Sequence, residues 1–515
     1  MAERAQPVNP FAGIAAAGLV AALIIGTLAA VAFHAEAGHG IGPSDWSALR
    51  FTLTQAALSA LISALLAIPV ARALARRRFW GRRFLIAILG APFILPVIVA
   101  ILGLLQVFGR SGWISDILGL FGLPPLRIYG LHGVVLAHVF FNLPLATRLL
   151  LQGWQEVPSE RFRLAAQLGC EGTALFRLIE LPMLSRILPG ILAVIFSICL
   201  TSFAVALTLG GGPRATTVEL AIYQAFTYDF DLGRAALLST VQILLTTTAA
   251  VAALKLSRTD GFGAGLDHAV RRWDGGSALI DSLWIALAAL FLLLPLTAVA
   301  SSGAMGLFEL PASVLKAAVV SISVAAISTV VLLALALPMA ATIALGRQGL
   351  VEISGILGLA ASPLVLGTGL FIILRPLVDP SAFALPVTAL VNAVLALPFA
   401  LRILVPAARD TVSRYGRLSL SLDMSGWAFV TRVLLPRMRA QIGFAAGLAA
   451  ALSMGDLGVI TLFANSETAT LPLQIYRLMG AYKMQSAAGG ALLLLMLSMS
   501  LFWLLDRGGR WHAEA

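Results

Sequence analysis

The chain has 515 residues, of which 59% are hydrophobic and only 11% charged. A soluble globular domain carries about 25% charged residues, so this composition excludes an ordinary soluble enzyme and fits a chain built for lipid. The formal charge of +11 does not point to nucleic acid, because the basic residues follow the pattern of membrane loops, and two cysteines, Cys170 and Cys199, are too few for a disulfide framework or a four-ligand zinc site.

A hydrocarbon core about 30 Å thick is crossed by roughly 20 apolar residues as helix. Twelve such runs follow in order, near 11–33, 51–71, 84–108, 129–151, 187–210, 235–254, 278–300, 313–345, 350–374, 383–405, 440–463 and 487–505. The expected fold is therefore an all-α polytopic membrane protein of about 12 transmembrane helices. The first run reads as a span rather than a cleavable signal peptide. The run at 313–345 is too long for one straight crossing, so part of it tilts or reaches into water. With the N-terminus in the cytoplasm, the inner loops and adjoining span ends hold 26 of the 35 basic residues and the outer ones hold 9. The positive-inside rule selects this orientation, and twelve spans then place both termini in the cytoplasm.

The chain repeats itself at an offset of 254 residues. Leu143, Pro144, Ala146, Arg148 and Leu150 recur as Leu397, Pro398, Ala400, Arg402 and Leu404. After a slip of one residue, "TVELAIYQ" at Thr217 matches "TLPLQIYR" at Thr470. Two parallel six-helix repeats follow, related by an axis along the membrane normal. The first half spans 1–257, the second 278–515, and the Gly- and Asp-rich stretch 258–277 reads as a cytoplasmic linker.

Within each half one polar, helix-prone segment faces the cytoplasm: "RFRLAAQLGCEGTALFRLIELP" at 161–182 and "YGRLSLSLDMSGWAFVTRVLLP" at 415–436. In the first, Ala165, Leu168, Leu175, Phe176 and Ile179 recur at helical spacing, with arginines and Gln167 between them. Gly169 and Gly172 permit a bend, and Pro182 ends the segment before the next span. Such an element either offers an apolar patch to a partner or lies on the bilayer surface. A matched copy in each half favours the partner.

The segment resembles the cytoplasmic loop of ATP-binding-cassette importer permeases, in which Glu-Ala-Ala, three residues and Gly are followed thirteen residues later by Pro. Gly169 and Pro182 keep that spacing. Ala165, with Ala166 beside it, stands at the second Ala, and Phe176 and Arg177 stand where the family often has an aromatic and a basic residue. Arg163 and Arg417 replace the family Glu, Asp423 replaces the Gly of the second copy, and Thr431 stands opposite Arg177. Gly426 and Pro436 complete the second copy. The resemblance implies the type I importer permease fold. It implies coupling helices docked on a cytoplasmic ATPase dimer that binds the ATP and Mg, so this chain needs no cofactor of its own. It further implies a periplasmic substrate-binding protein, a bacterial inner-membrane location with the lipid bilayer as solvent, and no nucleic acid. Carrying both halves on one chain is similar to the thiamine and ferric-iron permeases. The stretches "AHVFFNLPLATRLLLQ", "LGGGPRATTVELAIYQAFTYDFD" and "LSMGDLGVITLF" look most like the thiamine (and thiamine pyrophosphate) permeases.

The chain has no G-x-x-x-x-G-K-[ST] phosphate loop, so ATP hydrolysis is expected on a separate subunit. A secondary transporter with two six-helix halves is the competing reading, and it requires acidic residues deep in the spans. Asp456 stands nearly alone there, with Asp281 near a span end. Asp456 and its repeat partner Ser202 are expected to line the substrate pathway, the alternative being that Asp456 pairs with a basic residue or backbone amide of a neighbouring span or lies nearer a span end, and Gly455 and Gly458 suggest a broken or closely packed helix. The matched outer stretches 217–232 and 470–483 are either aromatic interfacial anchors or contacts for the binding protein.

Overall fold

The computed structural model describes residues 8–35, 40–90, 94–212, 215–256, 277–346, 349–359, 361–465 and 468–510. Apart from Ser277, the expected linker 258–277 lies outside these residues. Among them helix predominates and there is no strand. In order the helices are α1 (Phe11–His34), α2 (Pro43–Arg76), α3 (Arg82–Ile88), α4 (Val97–Phe108), α5 (Trp113–Leu120) and α6 (Leu131–Glu156), then α7 (Ser159–Gln167), α8 (Thr173–Leu175), α9 (Leu181–Leu200), α10 (Phe203–Leu209), α11 (Val218–Thr227) and α12 (Leu232–Leu256). They continue as α13 (Ala278–Gly306), α14 (Ala312–Ala344), α15 (Gly349–Ile356), α16 (Pro363–Leu374) and α17 (Ala384–Ser421), then α18 (Trp427–Phe429), α19 (Leu435–Met454), α20 (Ile460–Phe463), α21 (Leu471–Gly480) and α22 (Met484–Arg510).

Ten helical stretches are long and apolar enough to cross a membrane among the described residues. Of the twelve expected runs, 350–374 and 440–463 are the two that do not qualify. The first is divided between α15 and α16. Pro363 opens α16 at its first turn, and Ser362 Oγ accepts the Val365 amide at 3.3 Å. Proline at that place with a serine cap starts a new helix rather than continuing the old one. The second run forms α19, a 20-residue helix whose first turns hold Arg437 and Arg439, and then breaks.

The described chain forms two compact units. One comprises 1–40, 222–244 and 303–515; the other comprises 41–221 and 245–302. These units do not coincide with the chain halves 1–257 and 278–515, because each half's first span, and residues 222–244 of the first half, sit in the unit of the other half. In the first unit α1 packs on α14, α15 and α16. A Cβ at Gly369 of α16 would lie 2.5 Å from the Thr27 carbonyl oxygen, so the absence of a side chain sets that approach. In the second unit Gly103 of α4 faces the Pro295 carbonyl of α13 in the same way, at 2.4 Å. Phe291 of α13 stacks edge-on against Phe108 and Phe140, with centroids 6.3 and 5.9 Å away. Close helix approach over small residues is the usual glue in a membrane, where lipid offers no hydrophobic drive. Both repeats present this small-residue surface, so the repeat alone cannot say which copy a first span will join.

Candidate functional site

The two polar segments fold alike, position for position. In the first, α7 ends at Gly169, whose φ is +66°. The amide of Cys170 donates to the Ala165 carbonyl at 2.8 Å and that of Gly169 to Ala166 at 3.1 Å. In the second, Asp423 has φ +54°, Met424 donates to Ser419 at 2.8 Å and Asp423 to Leu420 at 3.2 Å. Both are left-handed C-terminal caps that satisfy the last free carbonyls of a helix. Gly172 and Gly426 follow with φ +54° and +60°, and each opens a short helix that passes into a π-helical turn, Phe176–Glu180 and Val430–Leu434. Pro182 and Pro436 occupy the first turns of α9 and α19. No atom lies within 4 Å of a Cβ built on Gly169, so backbone conformation, not crowding within this chain, favours glycine there.

The apolar faces are arranged differently from the expectation. Phe162, Ala165 and Leu175 are buried in a cluster with Val157 and hold α7 onto the chain's own body, with Ile179 packed against them. Of the expected patch only Leu168 is well exposed, and it is joined by Leu164 and Leu178. Leu418, Leu422 and Trp427 are the exposed apolar residues of the second copy. Leu164 and Leu418, and Leu168 and Leu422, are repeat partners; their spacing of four was the signal available in the sequence. Arg163, Arg177 and Arg417 are exposed, Ala166 is half-buried, and Phe176 is half-buried with the Arg72 guanidinium 5.8 Å from its ring centroid.

Each unit also contains a polar break, one after α9 and one after α19. In one, α9 stops at Leu200, and Ser202 precedes α10. Ser202 Oγ lies 2.7 Å from His138 Nε2, while His138 Nδ1 lies 3.3 Å from Ser59 Oγ. In the other, α19 stops at Met454, and Asp456 Oδ1 accepts the Gly458 amide at 3.1 Å. Asn392 Nδ2 donates to Ser453 Oγ at 3.1 Å. His138 and Asn392 are repeat partners, as are Ser202 and Asp456. Sequence reading found Ser202 and Asp456 and missed the two residues opposite them, although their matched polarity inside apolar spans was visible. Asp281, the other acidic candidate, is engaged by Arg77 Nε at 2.7 Å and Arg76 Nη1 at 3.3 Å, a structural pairing rather than a free carboxylate for proton coupling.

The chain is 40% identical to the thiamine transport system permease protein of Salmonella typhimurium, over 100% of both chains. It is 38% identical to that of Escherichia coli over 98% of each, and 33% identical to that of Haemophilus influenzae over 88% of this chain and 87% of the relative. No family model matches. The chain belongs to the family of thiamine transport system permeases. As a permease of this family it is a fused, all-α, multi-pass membrane protein of the ATP-binding-cassette class. A shorter likeness, 35% identity over 28% of the chain, is to a probable sulfate transport system permease of Chlorella vulgaris.

In this permease the matched stretches 217–232 and 470–483 begin alike. The Val218 amide donates to Thr52 Oγ1 at 2.9 Å, and the Leu471 amide to Ser321 Oγ at 2.8 Å. Tyr223 and Phe226 are buried, Phe226 against Phe371 with centroids 4.5 Å apart, so these two do not anchor at a lipid surface. Burial, with Tyr228 beside it, holds the Tyr223 phenol well above its ordinary pKa, so the ring stays neutral. Each stretch then ends on an exposed aromatic residue in the left-handed region: Phe230 at φ +53° and Tyr482 at φ +59°. Such a conformation is an outlier for a bulky side chain.

Proposed function

We propose that this chain is the inner-membrane permease of an importer that moves thiamine or its phosphate esters from periplasm to cytoplasm by alternating access. A separate ATPase dimer would dock at 161–182 and 415–436, and a periplasmic binding protein would deliver the solute. The observation that supports this best is the repetition of the capped, π-turned backbone in both segments, in a chain similar along its length to permeases named for thiamine. Two matched docking elements suit a two-fold symmetric partner. Exposed Leu164, Leu168, Leu418 and Leu422 would fill grooves on that partner, and the surrounding arginines would set its register. In the pathway, Asp456 would offer a weak, transient charge to the thiazolium cation, with Ser202 at the matching break of the other repeat. The test is uptake of radiolabelled thiamine into proteoliposomes holding the permease with its co-purified ATPase and binding protein. ATP-dependent accumulation supports the reading; accumulation driven by a proton or sodium gradient without ATP overturns it.

A further inference from the structure

The two coupling segments are alike in themselves but joined to the body differently. In the second, α17 runs unbroken from Ala384 to Ser421, so a single helix serves both the span and the coupling segment. In the first, α6 ends at Glu156, Val157 and Pro158 are extended, with ψ of 118° and 136°, and α7 starts afresh at Ser159. An extended pair of residues transmits bending poorly, whereas a helix transmits it along its hydrogen-bonded axis. Arg437 of α19 lies over the Tyr415 ring of the second segment at 4.8 Å, whereas the first segment has a buried carboxylate tied to α2 at a position that is apolar in the second. Glu180, at the end of its π-turn, is fully buried; Arg72 Nε of α2 reaches its Oε2 at 2.7 Å. Trp154 Nε1 of α6 donates to its Oε1 at 3.3 Å. The same Arg72 guanidinium lies over Phe176, one turn earlier. At the 254-residue offset Glu180 and Trp154 correspond to Leu434 and Ala408, and Arg72, three residues after Pro69 of α2, corresponds to Ala341, three after Pro338 of α14; all three are buried and apolar.

We propose that Arg72 and Glu180 are positioning residues that carry movement of the first coupling segment into α2 and α6, replacing the helical continuity that α17 provides to the second. This rests on the function proposed above. The two segments are then unequal: the first is coupled through a charged, geometrically specific joint and the second through the backbone. A buried ion pair exchanged for apolar residues of suitable size generally leaves a protein folded, whereas removing one partner does not. The decisive variant is therefore Arg72→Ala with Glu180→Leu, which copies Ala341 and Leu434. Arg72→Lys, which keeps the charge without the fork, is the conservative control.

Two measurements on the full permease in complex with its ATPase test the joint. The first is hydrogen exchange of the amides at 159–168, expected to rise about tenfold in the double variant with 416–424 unchanged. The second is thiamine accumulated per ATP hydrolysed in proteoliposomes, expected to fall about fivefold while ATPase association and turnover persist, with Arg72→Lys intermediate. Unchanged exchange at 159–168 overturns the joint, as does faster exchange with an unaltered transport ratio. A wild-type complex that hydrolyses ATP without moving thiamine refutes the substrate reading instead, and the exchange measurement still decides whether the tie holds the segment.

Discussion

Asp423 and Gly169 occupy one conformation with two different residues, and that difference sets the cost of substitution. A non-glycine L-residue in the left-handed region costs about 1–2 kcal/mol, less for Asn or Asp, whose short side chains bond locally. Gly169→Leu is expected to lower stimulated transport while the protein still inserts, and Gly169→Asn to be much milder, since Asp423 already stands at φ +54°. Uptake and ATPase association measured side by side check this; an innocuous Gly169→Leu would remove the coupling role. Asp456 separates in the same way. A lone carboxylate in a span costs roughly 2.5–3.5 kcal/mol on insertion scales, so it needs a partner or a purpose. The Gly458 amide is a partner for Oδ1 that Asn retains and Ala loses. Asp456→Asn is therefore expected to assemble, keep near-normal stimulated ATPase activity and lose thiamine uptake, while Asp456→Ala also loses stability. If Asn supports full uptake, the charge has no pathway role.

At the level of the element, the matched helices α11 and α21 are followed by strained, exposed aromatics where a glycine would be easier. Replacing Phe230 or Tyr482 with Gly relieves the backbone and is expected to raise thermal stability by the order of 1 kcal/mol. If these rings meet the binding protein, the same variants reduce binding-protein-stimulated ATPase activity and spare the basal rate. Equal effects on both rates would favour interfacial anchoring. Asp229 is less informative, because its pairing with Arg234 at 3.1 Å is half-exposed and contributes little. Asp231 is not a neutral site either: its Oδ1 accepts the Arg234 amide at the start of α12, so a charge reversal there also removes a cap.

For the whole molecule the arginine bias predicts a cytoplasmic location for both coupling segments and both termini. Cysteine at Ser159 or Ser413, in a chain whose half-exposed Cys170 has first been replaced, is expected to resist an impermeant thiol reagent added from the periplasm. Labelling of either from outside would invert the topology. Spatial organisation adds a second expectation. Gly103→Leu and Gly369→Leu each place a side chain into a helix carbonyl, and each is expected to detach an exchanged first span and lower yield and stability by several kcal/mol. Thermal denaturation in detergent measures this, and an unaffected melting temperature would show that the contact is dispensable.

Local chemistry made much of this protein legible in its sequence. Apolar run length announced most of the long helices, and the spacing of Gly169 to Pro182 the capped, proline-ended segment, because each depends on neighbours within a few turns. The repeat at 254 residues likewise matches Gly172 with Gly426 and Ser202 with Asp456. Other features depended on residues far apart in the chain. That Leu175 turns inward while Leu164 and Leu178 face out depends on how α7 lies on Phe162 and Val157, which periodicity along a bent, glycine-interrupted segment does not specify. That α1 and α13 join the opposite unit depends on a choice between two similar small-residue surfaces. That Arg72 meets Glu180, 108 residues away, depends on α2, α6 and the π-turn arriving together. Only tertiary packing brings such a pair within 2.7 Å, because a buried charge is tolerated where its counterpart is already in place.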